Sequence, residues 1–241
     1  MKIYIEKDYD AMSRKAFEVI KEVVVNNPSA VLGLATGSSP IGTYANLVKD
    51  HKENGTSYKN VKSVNLDEYV GLGEGDEQSY VTFMRENFFN HIDIDLANTN
   101  LPNGMAKDLG AECDRYNKLL ETMPQDMQLL GIGSNGHIGF NEPFTAFDSV
   151  THLVDLTENT IKDNSRLFNS IDEVPRQALS MGVANILNAK KIVVVASGAN
   201  KADAVAKSIN GEITEEVPAS VLQKHPDVIW VLDEAAASKL K

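Results

Sequence analysis

The feature that most constrains the fold of this chain is a repeated alternation of short, β-branched apolar segments with longer segments of helical periodicity. This alternation is typical of β–α units, in which helices cover a parallel sheet. Several of the apolar segments are apolar almost throughout, as expected of strands that are buried on both faces. We therefore predict an α/β fold with a mostly parallel sheet and helices on both of its faces.

The same pattern gives the individual elements and the domain organisation. The predicted strands are Lys2–Ile5, Ala30–Leu34, Val61–Leu66, Met127–Gly131, His152–Asp155, Lys191–Ala196 and Val228–Leu232. The predicted helices are Tyr9–Asn26, Pro40–His51, Ser79–Phe89, Asp108–Thr122, Asn159–Phe168, Val183–Asn188, Ala202–Asn210 and Ala235–Leu240. No repeat or Pro/Ser-rich linker interrupts the series, and 241 residues fit one α/β domain, so we predict a single domain over residues 1–241.

Charge and cysteine content exclude several classes of function. A net charge of -11 argues against generic binding to nucleic acid or to acidic lipid, since both require a basic face. With Cys113 as its single cysteine, the chain has neither an intrachain disulfide nor a cysteine metal cluster. The N-terminal residues alternate like a strand, and no apolar run reaches the roughly 18 residues of a membrane helix. We predict a cytoplasmic protein.

Polar and glycine-rich segments follow four of the predicted strands. These segments are residues 36–40, 67–69, 134–143 and 197–201. Open α/β sheets bind ligands outside the carboxyl ends of their strands, and these ends share one edge of the sheet. The sequence therefore predicts one functional site built from all four segments.

The first of these segments has the composition of a phosphate-binding loop. Thr36, Gly37, Ser38 and Ser39 lead into a predicted helix whose first turn includes Pro40. Exposed N–H groups at a helix start, with hydroxyl groups beside them, suit a phosphate. The segment is not a Walker loop, because no Gly-Lys-Ser/Thr follows. A plain strand-to-helix turn capped by Ser39 explains the same residues, and the segment alone leaves both alternatives open.

The third segment contains a spacing that resembles a dinucleotide-binding fingerprint. Gly131, Gly133 and Gly136 satisfy G-x-G-x-x-G after a strand, and Asp155 follows about 20 residues later. A true fingerprint opens directly into a sustained helix. Residues 137–143 form a poor helix, because they contain a glycine and end in proline, so we do not favour a nicotinamide cofactor.

Two places in these segments offer acid–base chemistry. A carboxylate such as Glu142 can fix the tautomer of a histidine such as His137, which changes charge near neutral pH. Five residues of loop separate the two, so from spacing alone they either meet or point apart. Asp67 and Glu68 end a strand, and alternation lets at most one of them face the site. Because the five histidines are scattered, a zinc site is not predicted.

Two cations are candidates for binding an anion. Arg166 lies in a segment of helical pattern, and Lys201 stands at the start of a predicted helix. A cation at a helix start opposes the helix dipole unless an anion shares the site. Most surface cations are merely solvated, so neither residue indicates a site by itself.

Together, these segments resemble the glucosamine-6-phosphate deaminase family. The resemblance lies in Leu34–Pro40, Asn65–Leu72 and Gly131–Pro143, and more weakly in Asn164–Arg166 and Ser197–Ala202. It runs in order over nearly the whole chain. It implies a three-layer, Rossmann-like fold, shared with phosphogluconolactonase, and one glucosamine-6-phosphate deaminase domain over residues 1–241.

The resemblance also implies roles for the candidate residues. Thr36, Gly37, Ser38 and Ser39 would bind the substrate phosphate together with Arg166 and Lys201. His137 would open the sugar ring, Glu142 would orient and charge the imidazole, and Asp67 would carry a proton from C2 to C1. The substrate's C2 nitrogen can serve as the electron sink, so the resemblance implies no cofactor and no metal.

One residue departs from the pattern of some family members. They carry aspartate where this sequence has Asn135, an amide that can hydrogen-bond His137 but cannot ionise. We therefore expect Glu142 alone to supply negative charge to His137. Longer members that form allosteric hexamers extend further at the C-terminus, so we expect a monomer here, with a small homo-oligomer as the alternative.

Two other functions fit parts of the pattern. A 6-phosphogluconolactonase-like hydrolase would share the fold and the phosphate site, but lactone hydrolysis does not need Asp67 as a proton carrier between two carbons. A non-catalytic sugar-phosphate sensor would bind the same ligand. Transcriptional sensors would add a DNA-binding helix pair, whereas the first predicted strand of this chain begins at Lys2.

Overall fold

The computed structural model describes residues 1–165 and 168–240. Within them, the strands are β1 (Lys2–Glu6), β2 (Val31–Leu34), β3 (Lys62–Asn65), β4 (Asp67–Tyr69), β5 (Thr99–Asn100), β6 (Met127–Leu130), β7 (His152–Asp155), β8 (Gln177–Ser180), β9 (Ile192–Ala196) and β10 (Val228–Asp233). The α-helices are α1 (Tyr9–Asn26), α2 (Ile41–Asn54), α3 (Tyr80–Asn87), α4 (Leu109–Thr122), α5 (Glu158–Asn164), α6 (Val183–Leu187) and α7 (Ala202–Asn210).

The main sheet is parallel and has the order β1-β10-β9-β6-β2-β3-β5. Alternate residues of β9 enter the cores on its two faces. Val193 and Val195 pack in the core that contains α1, α2 and α3, whereas Ile192 and Val194 pack in the core that contains α4, α6 and α7. This three-layer arrangement confirms the predicted Rossmann-like fold class, and it explains why β9 is apolar throughout.

A second, antiparallel sheet of order β4-β8-β7 lies beside the carboxyl edge of the main sheet. The chain leaves β3 and enters β4 after one residue, Leu66, whose carbonyl accepts a hydrogen bond from Met181 at 2.7 Å. A small core that includes Tyr69, Phe140 and Ala178 packs against this sheet. The residues after Leu66, where the predicted strand ends, are thereby held in a second sheet.

Three differences from the predicted elements have physical causes. The strand at His152–Asp155 exists but belongs to the antiparallel sheet. The strands β4, β5 and β8 were not predicted because each has only two to four residues and is paired by distant residues. The predicted helix Ala235–Leu240 is wrong, because these residues form successive hydrogen-bonded turns. Among the described helices, none is long and apolar enough to cross a membrane.

Candidate active site

A cleft of about 810 Å³ opens at the carboxyl edge of the main sheet. Seven of the predicted site residues line it, namely Thr36, Gly37, Ser38, Ser39, Asp67, His137 and Lys201. Asn135 and Glu142 contact His137 but do not line the cleft. Arg166 lies outside the described residues. The four segments predicted to share one site therefore do meet.

The loop between β2 and α2 presents backbone to the cleft. Gly37 has φ 92°, in the left-handed region, and apart from its two chain neighbours no atom of the described residues lies within 4 Å of the position that a Cβ would occupy. Helix α2 begins after Pro40, which makes no side-chain capping hydrogen bond, so the alternative of a cap by Ser39 is wrong. Within the described residues, the hydroxyl of Tyr9 accepts the Gly42 N–H of this first turn at 2.8 Å, and no capping side chain of the loop itself competes with an anion there.

His137 faces the carboxylate of Glu142 across the loop after β6. Its Nδ1 lies 3.6 Å from Glu142 Oε2, close enough for an ion pair when the imidazole is protonated but too long for a hydrogen bond. Such contacts commonly shorten when substrate binds. Spacing alone left open whether the two side chains meet, and the fold brings them together.

Glu142 is almost fully buried and is held in its ionised form. Its Oε1 accepts a hydrogen bond from the Thr160 hydroxyl, and its Oε2 accepts one from Asn135 Nδ2 at 2.8 Å. Burial opposes ionisation, but attraction to His137 and these hydrogen bonds outweigh it and lower the pKa of Glu142 to about 2. Glu142 is therefore negatively charged throughout the range in which an enzyme works.

Asn135 contacts both members of this pair. Its Oδ1 accepts a hydrogen bond from the backbone N–H of His137 at 3.2 Å, while its amide donates to Glu142. The sequence predicted that the amide would contact the histidine, but its contact is with the His137 backbone and not with the ring. An aspartate here could not donate to Glu142 when ionised and would place two carboxylates in contact.

Substituting Asn135 with aspartate should therefore make the activity sensitive to acid. The two carboxylates will share a proton as the pH falls, which removes charge from Glu142. We expect the ratio of variant to parent kcat/KM to fall about tenfold between pH 8 and pH 5. Asn135→Ala, which removes the donor and adds no charge, should lower the ratio equally at each pH. A constant ratio for Asn135→Asp would contradict this account.

The glycines of the G-x-G-x-x-G spacing shape the histidine loop. A Cβ on Gly133 would lie 2.3 Å from the imidazole of His137, so this ring can only pack where residue 133 has no side chain. The Gly133 N–H donates to the His137 carbonyl at 2.9 Å, and Gly136 takes φ 87°. Here the glycines seat a histidine against the backbone.

We accordingly expect Gly133→Ala to lower kcat/KM about 100-fold. The added Cβ must displace the His137 imidazole, and a displacement of about 1 Å lowers the rate strongly. Gly110→Ala in the exposed face of α4 is a matched control. Among the described residues, a Cβ at Gly110 would meet Asp108 Oδ1 alone, at an ordinary 3.4 Å, so activity should be retained. Parallel kinetics and melting curves test the pair. Full activity of Gly133→Ala would contradict this account, because it would show that the His137 imidazole can work from another position.

Asp67 lines the cleft, whereas Glu68 points away from it, as alternation along a strand predicts. Both oxygens of Glu68 accept backbone N–H groups, from Tyr69, Tyr80 and Val81, so this carboxylate caps the start of α3. Burial raises the pKa of Glu68 to about 7 against these three hydrogen bonds. Burial, and secondarily the charge of Glu68, raise the pKa of Asp67 to about 8.

Lys201 reaches the cleft from the turn that precedes α7. The buried carboxylate of Asp233 fixes the start of this turn. It accepts hydrogen bonds from the Ser197 hydroxyl and from the Gly198 N–H, the latter at 3.0 Å. The cation is thereby presented beside the loop 36–39, where it can bind an anion that the loop also contacts.

Sequence reasoning missed several residues of the site. Tyr9, Tyr80 and Thr160 line the cleft, and Asp233 supports it. Tyr9 and Tyr80 begin helices, and Asp233 ends a strand, positions at which a polar residue is ordinary and gives no signal. In the part of the chain that is described, no group of three or more His, Cys, Asp or Glu side chains is arranged to hold a metal ion.

Comparison with known proteins agrees with this geometry. Residues 6–230 match the family described as glucosamine-6-phosphate isomerases/6-phosphogluconolactonase. A glucosamine-6-phosphate deaminase of Clostridioides difficile (strain 630) is 52% identical over 241 residues, which cover 100% of this chain and 97% of that protein. The glucosamine-6-phosphate deaminase of Clostridium novyi (strain NT) is 50% identical over 100% of both chains.

Solved structures divide into near and distant relatives. A monomeric glucosamine-6-phosphate deaminase superposes with a TM-score of 0.98 and 47% identity, over 99% of this chain and 100% of that one. A 6-phosphogluconolactonase from Leishmania guyanensis covers 100% of this chain and 98% of its own, with a TM-score of 0.79 but 20% identity. At that identity the likeness shows a shared fold and nothing further.

Proposed function

The chain belongs to the glucosamine-6-phosphate deaminase family, and from that premise we propose that it converts glucosamine 6-phosphate and water into fructose 6-phosphate and ammonia. The observation that supports this most is that one cleft is lined by an exposed backbone loop, a lysine, a histidine and a buried aspartate. The loop and Lys201 suit a phosphate, while His137 and Asp67 suit proton transfer. A protein of net charge -11 can thus bind a phosphate ester locally.

The phosphate fixes the substrate at one end of the cleft. We assign its binding to the backbone and hydroxyl groups of residues 36–39 and to Lys201. Arg166 is assigned to the same phosphate on the family pattern. The bound phosphate places C1 and C2 beside the proton-transferring side chains in the ground state and in the transition state alike.

Ring opening comes first. His137 takes the proton of the anomeric hydroxyl and delivers it to the ring oxygen, so the C1–O5 bond breaks and an aldehyde forms at C1. Glu142 holds the imidazole and balances its positive charge, a role that its ionised state supports. Asn135 and Thr160 act through Glu142 and are positioning residues.

Isomerisation and loss of nitrogen follow. Asp67 takes the proton from C2 while the C1 oxygen takes a proton from solvent, which gives an enolamine; the later addition of water to the iminium ion returns that proton to solvent. It returns the proton to C1, and the nitrogen lone pair forms a C2 iminium ion. Water adds to C2, the carbinolamine breaks its C–N bond, and fructose 6-phosphate and ammonia leave. Because water supplies the new C2 oxygen, we class the proposed reaction as hydrolytic.

A carboxyl whose pKa is about 8 suits this proton relay. General acid–base catalysis is most effective when the pKa of the group lies near the working pH, because the group then both accepts and releases a proton readily. Each such positioned group typically contributes about 10²–10⁴-fold to the rate. The nitrogen on C2 acts as the electron sink, so this route uses no cofactor.

We extend the proposal to the state of the protein. Residues 1–241 are proposed to act as a single, monomeric and cytoplasmic domain. A relative with a TM-score of 0.98 is described as monomeric, which supports the first two points. The acidic composition supports the prediction that neither nucleic acid nor a membrane surface is a partner.

A coupled assay tests the function. Purified protein is incubated with glucosamine 6-phosphate and EDTA, and fructose 6-phosphate and ammonium are followed together. We expect equimolar formation of both. The Asp67→Asn variant, purified identically, controls for contaminating enzymes. Hydrolysis of 6-phosphogluconolactone without deamination would move the assignment to the lactonase, and no turnover of either compound would indicate a binding protein.

A further inference from the structure

We propose that Tyr9, which no sequence pattern singles out, is a positioning residue that holds the loop 36–39 in the form that binds the substrate phosphate. The inference rests on the proposed function and adds a residue to it. Tyr9 is the first residue of α1, in a part of the chain far from the loop in sequence. It nevertheless lines the cleft.

The hydroxyl of Tyr9 joins the loop to the helix that follows it. It donates a hydrogen bond to the Ser38 carbonyl at 2.9 Å and accepts one from the Gly42 N–H at 2.8 Å. The first of these groups belongs to the loop, and the second belongs to the first turn of α2. One side chain from another helix thus ties the loop to the start of the helix that follows it.

The packing of α1 on α2 makes this contact possible. A Cβ on Gly42 would lie 2.4 Å from Ser13 Oγ and 3.0 Å from a ring carbon of Tyr9, so the two helices approach closely only because residue 42 is glycine. The packing of α1 against α2 therefore holds the Tyr9 side chain in place. Its hydroxyl position depends little on the cleft contents.

The two hydrogen bonds have a consequence for the loop amides. The Tyr9 hydroxyl satisfies the Gly42 N–H and holds the Ser38 carbonyl in one orientation by a hydrogen bond. A carbonyl oxygen turned toward the cleft would repel a phosphate, whereas the neighbouring N–H groups attract it. Loss of the hydroxyl frees the Ser38–Ser39 peptide to rotate, and binding must then order it.

The kinetic consequence is specific. The phosphate does not change during the reaction, so its binding contributes equally to the ground state and the transition state. A weaker phosphate site therefore raises KM and leaves kcat unchanged. Tyr9 acts through the loop, in contrast to Asp67 and His137, whose loss lowers kcat.

The test is Tyr9→Phe, which removes only the hydroxyl. We expect KM for glucosamine 6-phosphate to rise about tenfold, since each hydrogen bond contributes modestly. The inhibition constant of inorganic phosphate, as a competitor, should rise by the same factor, and kcat should stay within about twofold. Tyr4→Phe is the matched control. Tyr4 is a half-buried tyrosine on β1 whose ring contacts Lys15, and its substitution should change none of these constants.

The outcomes separate this inference from the proposed function. A parent protein that does not deaminate glucosamine 6-phosphate overturns the function. An active parent whose Tyr9→Phe variant keeps its KM and phosphate inhibition constant overturns the inference, whatever happens to the melting temperature. A fall in kcat at constant KM also overturns it, because Tyr9 would then act on the chemistry.

Discussion

Replacing Asp67 with asparagine should abolish turnover and, at the same time, make the folded protein more stable in alkaline solution. The loss of activity is expected to be at least about 10³-fold in kcat, because asparagine cannot accept the C2 proton. The gain in stability has a separate cause, the burial of the carboxyl group, which is 6% exposed. The same substitution should therefore lower kcat and raise the stability of the folded protein.

The pH range of the stability effect follows from the pKa of Asp67. Its value rises from 3.8 to about 8 on folding, so the protonated carboxyl is the form that the folded state favours. Stability from this group is complete below pH 3.8 and is lost as the pH rises to about 8. Asparagine stays neutral, so the free energy of unfolding of the variant should exceed that of the parent by up to about 6 kcal/mol above pH 8 and by little at pH 4.

Denaturant unfolding at pH 4, 6 and 9 measures the effect, and Asp50→Asn is its matched control. Asp50 is also a buried aspartate, but hydrogen bonds from Lys21, Thr56 and Asn54 outweigh its burial and lower its pKa. Asp50→Asn should therefore destabilise the protein at neutral pH and leave turnover intact. If Asp67→Asn were less stable than the parent at pH 9, Asp67 would not be the strained, proton-exchanging group proposed here.

The elements that the sequence predicted best are those with local causes. Helices α1 and α7 begin and end where the periodicity places them, and α1 is capped by Asp8, whose carboxylate accepts the Ala11 N–H at 2.9 Å. Strand β4 was missed because its three residues are stabilised by β8, more than a hundred residues later. The Ala235–Leu240 segment has helical composition, but the N–H groups of Ser238 and Leu240 bond to carbonyls three residues earlier, which gives tight turns in place of an α-helix.

The residues of the candidate site also differ in whether local sequence could predict their positions. Residues that follow strands could be assigned to one edge, because a parallel sheet fixes where its strands end. Whether His137 meets Glu142 could not be predicted, since it depends on left-handed turns at Gly136 and Gly139. Tyr9 could not be found at all, because its role arises from how two helices pack.

Replacing Glu142 with glutamine should nearly abolish ring opening while leaving substrate binding intact. Glu142 is the charged partner of His137, and Asn135 cannot replace that charge. We expect kcat to fall at least about 10²-fold. The substrate reduced at C1, which cannot close its ring, should bind to the variant and the parent equally in a competition assay. Near-normal turnover of glucosamine 6-phosphate by the variant would refute the role.

The stability of Glu142→Gln should show the opposite pH dependence to that of Asp67→Asn. Folding lowers the pKa of Glu142 from 4.5 to about 2, so its contribution is present above pH 4.5 and is lost as the pH falls to about 2. The free energy of unfolding of the variant should be lower than that of the parent by up to about 3 kcal/mol at pH 7 and by little at pH 2. Glu112→Gln, at a buried glutamate paired with Arg115 on α4, should lose stability but keep activity. The two carboxyl groups would then be distinguished by the sign of their effect on stability: burial holds Asp67 ready to exchange a proton, whereas His137 and hydrogen bonds keep Glu142 charged.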